Sequence, residues 1–147
     1  NNAYAAVIQK FVKRIVKDEQ IIIHGDGLQT RSFCYITDQV EGIFRLLMSD
    51  YVDPINIGNP HEITIKDFAE EIIKLTGTSQ KVIYKELPVD DPLQRKPDIS
   101  KAKEILNWEP KVDRSEGMKK TYDYFKSLPE KELFKKEHKD FSTYTRM

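Results

Sequence analysis

An α/β fold is what this sequence predicts, on three observations. Apolar residues recur at helical spacing in several stretches, the first being Val7, Ile8, Phe11, Val12 and Ile15. Short β-branched runs, "QIIIH" (20–24) and "KVIYKEL" (81–87), stand between those stretches at strand length. Glycine and proline punctuate the joins, as in "GDG" (25–27) and "GNP" (58–60).

The Val7–Ile15 stripe predicts a first helix, with "QIIIH" as a strand directly after it. The loop from Gly25 leads into "RSFCYI" (31–36), a second extended segment. Thr37 or Asp38 is placed to cap the next helix, Glu41 completes a capping box with Asp38, and Val40, Ile43, Phe44 and Leu47 form its expected buried stripe. "DPINIGNP" (53–60) reads as a short strand closed by turn residues. "TIKD" (64–67) caps a further helix in which Ile65, Phe68, Ala69, Ile72 and Ile73 point inward, and Gly77 stops it. "KVIYKEL" is then a strand and "PVDDPLQRKP" (88–97) a proline-bounded loop. Asp98 caps a short helix carrying Ala102, Ile105 and Leu106. "NWEP" (107–110) makes a turn in which Trp108 and Pro110 pack on the core. A last amphipathic helix buries Met118, Tyr122 and Phe125. From Pro129 the chain is a charged run, so residues 1–128 are expected to be the folded part and 129–147 a tail.

Composition narrows the classes of function. At 147 residues the chain is long enough for one real core. Lys and Arg together number 24, as do Asp and Glu, so no basic field points to a nucleic-acid partner. Cys34, the single cysteine, is flanked by apolar residues and reads as a small hydrophobe in a strand. His24, His61 and His138 are too far apart for a local metal motif, and neither CxxC nor HExxH occurs, so no metal is expected. No apolar run approaches the roughly 20 residues of a membrane helix and no signal-peptide pattern is present; the expectation is a soluble, cytoplasmic protein without a membrane partner. The first residues, "NNAYAAVIQKF", contain no Met and enter helical periodicity at once, which reads as a piece of a longer protein.

Nor do the glycines make a dinucleotide or Walker loop; Gly25-x-Gly27 alone is weak evidence for either. Tyr122-x-x-x-Lys126 has the spacing of a dehydrogenase pair but falls on an apolar helix stripe, which makes Tyr122 a core ring. Asp90, Asp91 and Asp98 lie on a loop and a helix cap, and no carboxylate is given a catalytic role.

Three segments taken together are more specific: "GDGLQTRSFCYITD" (25–38), "INIGNPHEITIKDFAEEI" (55–72) and "DDPLQRKPDISKAKEILNWEP" (90–110). Their order and spacing resemble the carboxyl-terminal half of the extended short-chain dehydrogenases acting on nucleotide sugars, and within them the UDP-glucuronate decarboxylases, or UDP-xylose synthases. The resemblance runs from about Val7 to Phe125. It implies a substrate-binding lobe whose Rossmann half lies outside this chain, with NAD bound by that missing amino-terminal half and no cofactor-binding residue here. It also implies a UDP-sugar as small-molecule partner and a homodimer of the complete enzyme. The implied chemistry is oxidation at C4 of the sugar, loss of carbon dioxide from the β-keto acid, and re-reduction.

The resemblance assigns roles to four residues. Arg31 matches the arginine that grips the diphosphate; a planar guanidinium on a short loop suits that task. Ile22 and His24 match the positions that hold the uracil, although the family usually has Tyr or Phe where His24 stands. A strand-end histidine bonded to backbone is the other reading of His24. Arg95 matches the arginine beside the sugar carboxylate, where it would bind and orient that group; proton delivery would fall to a water, since a guanidinium does not give up its proton. A solvated "QRK" loop is the plainer reading of Arg95. Two other functions fit the same residues: 4-epimerisation or 4,6-dehydration of a UDP-sugar, and a stand-alone binding module without catalysis.

Overall fold

The computed structural model describes residues 7–87 and 92–129. Its elements are α1 (Val7–Val16), β1 (Ile21–His24), β2 (Thr30–Ser32), α2 (Ile36–Leu47), β3 (Glu62–Thr64), α3 (Ile65–Thr76), β4 (Val82–Lys85), α4 (Ser100–Leu106) and α5 (Arg114–Ser127). β1 and β4 pair in parallel, from Ile21 opposite Val82 to His24 opposite Lys85. β2 and β3 form a separate antiparallel ribbon, with Thr30 opposite Thr64, Arg31 opposite Ile63 and Ser32 opposite Glu62.

Alternation along β1 decides what the parallel pair covers. Ile21 and Ile23 are buried against Phe11, Val12 and Ile15 of α1 and against Phe68, Ala69 and Ile72 of α3. Ile22 and His24 therefore share the opposite face of the strand. α3 is delimited as its sequence predicts. Thr64 Oγ1 accepts from the Asp67 N–H at 3.0 Å, and Gly77, at φ 65°, donates its N–H to Ile73 O. Met118 joins this core from α5, with Tyr122 and Phe125 packed beside it, so Tyr122 is a packing residue as the stripe implies. Arg114 grips Glu71 through Nε (3.0 Å) and Nη2 (2.9 Å), tying α5 to α3.

A second cluster holds Ile99, Ala102, Leu106 and Trp108, with Cys34, Leu46, Ile55 and Ile57 against it. Trp108 is buried as expected, its indole Nε1 donating to Asp38 O at 3.0 Å. Asp98, expected to cap α4, stands one residue before the cap position, Ile99, which has no side-chain cap bond; its carboxylate accepts from the Ser100 N–H at 2.9 Å.

Four expectations are corrected here. α2 turns the other way: Val40, Ile43, Phe44 and Leu47, the expected buried stripe, are 53–76% exposed. The buried positions are Asp38 and Gly42. A Cβ on Gly42 would stand 2.5 Å from Ile57 Cγ2 and 2.9 Å from Trp108 Cε2, so this face is the one close enough to seat the helix on the second cluster. Nor do Thr37 or Asp38 cap α2. The helix begins at Ile36, and Asp38, in its first turn, directs Oδ2 to the N–H groups of Lys111 (3.0 Å) and Val112 (2.9 Å). "DPINIGNP" forms no strand. Pro54 and Pro60 have no N–H, and its polar groups are engaged one by one: Gln39 donates to Ile57 O, Asn56 to Asp98 O and Asn59 to Phe33 O. Ile105, expected inward on α4, is exposed.

Cys34 also lies outside any strand, just beyond β2, half-buried against the second cluster. Burial, with the Asp38 charge adding to it, pushes its thiol up from 9.0 to about 11. Two pH units are roughly a hundredfold in thiolate fraction, and the thiolate is the reactive form. Iodoacetamide at pH 8 is therefore expected to modify Cys34 about a hundredfold more slowly in the folded chain than in urea. Equal rates would contradict the burial. Residues 130–147 of the expected tail, and Asp90 and Asp91, lie outside the described residues.

Among the described residues no helix is long and apolar enough to cross a membrane, and no three of His, Cys, Asp or Glu gather as a metal group would.

Candidate substrate-binding site

The β2–β3 ribbon and the loop at 92–97 build the candidate site together. β2 is three residues long, and alternation sends Thr30 and Ser32 to one face and Arg31 to the other. All three hold the loop. The Thr30 N–H donates to Leu93 O at 2.8 Å, Arg31 Nη1 to Pro92 O at 2.8 Å, and Ser32 Oγ to Arg95 O at 3.0 Å. Arg31 Nη1 also donates to its neighbour's carbonyl, Thr30 O, at 2.7 Å. Its guanidinium is thus fixed in place by backbone and does not trail in solvent.

From β3, Glu62 reaches the same loop. Thr30 Oγ1 donates to Glu62 Oε1 at 2.6 Å, and Gln94 Nε2 lies 2.9 Å from each carboxylate oxygen. Lys96 Nζ is 3.9 Å from Oε2. These partners, the Thr30 hydroxyl first, then Gln94, with Lys96 helping, hold the Glu62 carboxyl below the usual carboxylate range.

Arg95 lies on the rim of an open cleft of about 600 Å³ whose polar lining includes Ser32, Gln39, Asn59 and Lys96. Asn59 is itself buried and fixed, donating to Phe33 O at 3.1 Å and accepting from the His61 N–H at 3.0 Å. The cleft thus offers two cations and three neutral hydrogen-bonding side chains, a set that suits an anionic, hydroxyl-rich ligand.

His24 ends β1 with Nδ1 3.1 Å from Glu86 O, which requires the proton on that nitrogen; its own carbonyl accepts from Gln29 Nε2 at 2.7 Å. His24 is therefore tied to backbone through Nδ1, at the end of the strand face it shares with Ile22. Gly25 and Gly27, at φ 71° and 79°, make the tight turn that returns the chain toward β2. Arg31 and Arg95 are coupled through one loop, whereas Ile22, His24 and Arg31 do not line the cleft that holds Arg95. Sequence reasoning missed Ser32, Glu62, Gln94 and Asn59. The alternation of Thr30, Arg31 and Ser32 on a short strand was the available signal, since it places two hydroxyls opposite the arginine.

Comparison with known proteins identifies the class. Over 82% of this chain the fold matches a UDP-glucose 4-epimerase of Thermotoga maritima crystallised with UDP-glucose, at a TM-score of 0.79 and 32% identity. Over the same share it matches a UDP-glucuronic acid 4-epimerase of Bacillus cereus in complex with UDP-glucuronic acid and NAD, at 0.76 and 32%. In each case the match covers 39% of the solved chain. The architecture is thus a part of the mixed α/β fold of the epimerase and dehydratase short-chain dehydrogenases. The chain belongs to the GDP-mannose 4,6 dehydratase family, whose model matches residues 2–121. Among curated relatives it is similar to UDP-glucuronic acid decarboxylase 6 of Arabidopsis thaliana, 47% identical over 112 residues, which are 76% of this chain and 33% of the relative. It is also similar to UDP-glucuronic acid decarboxylase 1 of Xenopus tropicalis, 42% identical over 120 residues, which are 82% of this chain and 28% of the relative. The chain therefore spans about a third of the length of such relatives.

Proposed function

We propose that this chain is the UDP-sugar-binding part of an NAD-dependent UDP-glucuronate decarboxylase, which converts UDP-glucuronate to UDP-xylose and carbon dioxide. The observation that carries the reading is identity of 47% with a decarboxylase against 32% with the epimerases of matching fold. In this reading Arg31 grips the diphosphate, Ile22 and His24 face the uracil from the outer side of β1, and Arg95 binds the sugar carboxylate. Arg95 suits a carboxylate because its planar fork can meet two oxygens at once, in a cleft that supplies further donors.

The described residues do not form a dinucleotide site. β1 runs through the Gly25–Gly27 turn into another strand, so no helix N-terminus stands where a pyrophosphate would be received. NAD is therefore assigned to the remainder of the complete protein. The outward apolar face of α2 is assigned to contact with that remainder, because a face this apolar is costly to leave in water and two-thirds of the relatives' length lies elsewhere.

A second reading, 4-epimerisation, is favoured by the neighbour that holds UDP-glucuronic acid itself. The two separate on one experiment: the complete protein given UDP-glucuronate and NAD either releases carbon dioxide or returns the 4-epimer with its carboxylate intact.

Arg31→Ala in the complete protein is expected to weaken UDP and UDP-glucuronate together by roughly 1.5–3 kcal/mol, the worth of hydrogen bonds to a charged group. Arg31→Lys is expected to recover only part of this, since a point charge lacks the fork. Calorimetry at one salt concentration checks both; UDP affinity unchanged in a folded Arg31→Ala variant removes Arg31 from the site.

A further inference from the structure

We propose that Glu62 is a positioning residue that aims Arg95 into the cleft, an inference that rests on the substrate role given to Arg95 above. In the loop, Gln94 and Lys96 flank Arg95, and both are drawn to one carboxylate: Gln94 Nε2 at 2.9 Å from each oxygen, Lys96 Nζ at 3.9 Å. Gln94 immediately precedes Arg95, so tying its side chain to β3 fixes the backbone from which Arg95 projects, while Lys96 lines the cleft beside Arg95. Arg95 does line the cleft, and its own carbonyl is held by Ser32 Oγ at 3.0 Å. The loop is thus fixed at Gln94, by Glu62, and at the Arg95 carbonyl, by Ser32.

Glu62 is itself rigid. It sits on β3 opposite Ser32, and the Thr30 hydroxyl donates to it at 2.6 Å from the neighbouring strand. Ionised at neutral pH as carboxylates ordinarily are, it accepts from Thr30 and Gln94 and faces Lys96, and these partners hold its carboxyl below the usual range. Glu62 lies outside the cleft lining, so its influence on substrate runs through the loop.

The test uses the complete protein with UDP-glucuronate and four variants: Glu62→Ala, Glu62→Gln, Arg95→Ala and the Glu62→Ala/Arg95→Ala double. Glu62→Ala is expected to lower turnover tenfold or more, leave UDP affinity within twofold, and speed hydrogen exchange of the Thr30 amide, which donates to Leu93 O of the loop, at least tenfold without changing exchange in β1 and β4. Glu62→Gln, which keeps one acceptor, is expected to fall between. In the Arg95→Ala background the same Glu62→Ala change is expected to cost less than a further threefold, because the group it positions is gone. Gln94→Ala, which removes the loop's side of the contact and leaves β3 intact, is expected to follow Glu62→Ala in direction.

Unchanged exchange at Thr30 in both Glu62→Ala and Gln94→Ala overturns the proposal, as does a full multiplicative loss in the double variant. If Arg95→Ala proves harmless while Glu62→Ala still frees the Thr30 amide, the role of Arg95 in substrate binding fails and the hold of Glu62 on the loop stands.

Discussion

Arg95→Ala in the complete protein is expected to lose kcat/KM for UDP-glucuronate by roughly tenfold or more while UDP affinity stays nearly unchanged. Losing hydrogen bonds to a charged group costs roughly 1.5–3 kcal/mol, and each 1.4 kcal/mol is a factor of about ten. In the proposed reading the nucleotide is held elsewhere, by Arg31 and the outer face of β1, so its affinity has no reason to fall. Arg95→Lys is expected to restore part of the activity, because the charge returns without the fork. Steady-state kinetics, with UDP calorimetry beside it, checks these statements. A loss shared equally between UDP and UDP-glucuronate would place Arg95 at the nucleotide.

The second large effect is on stability. Asp38→Ala is expected to destabilise this chain by about 2–4 kcal/mol, because it leaves the Lys111 and Val112 N–H groups without their acceptor in a partly buried place. Asp38 also stands in the first turn of α2, where a negative charge is favourable. Asp38→Asn keeps one oxygen for those donors and is expected to cost less than half as much. Urea unfolding followed through Trp108, the single tryptophan, reads the effect where it arises, since the indole donates to Asp38 O. An Asp38→Ala midpoint equal to the parent's would mean that water serves those amides as well.

These two residues mark where the sequence was legible. α1, β1, α3 and β4 follow from local signals: a period of 3.6 or 2, the Thr64 cap and the Gly77 stop. α2 shows what periodicity omits. Its apolar stripe is evident, but a stripe says only that a face wants cover, and here Gly42 lets the opposite face come closest to Trp108. Asp38 was legible as a helix-start residue and not as the acceptor for a turn 73 residues away, because nothing local announces a long-range carboxylate contact. "DPINIGNP" failed as a strand because its polar groups bond to three other segments one at a time: Ile57 O accepts from the Gln39 side chain, and the Asn56 and Asn59 side chains donate to Asp98 O and Phe33 O. The roles given to Arg31, Ile22, His24 and Arg95 came from resemblance to a family. The structure adds what resemblance lacked: Arg31 holds from β2 the loop that carries Arg95, and Glu62 holds the same loop from β3.

The most direct measurement of the proposed reaction gives the complete protein NAD and UDP-glucuronate labelled at the C6 carboxylate. The expected result is label released as carbon dioxide in step with the formation of a UDP-pentose. Label retained in a UDP-hexuronate whose C4 has inverted would contradict the decarboxylase reading and establish the epimerase in its place.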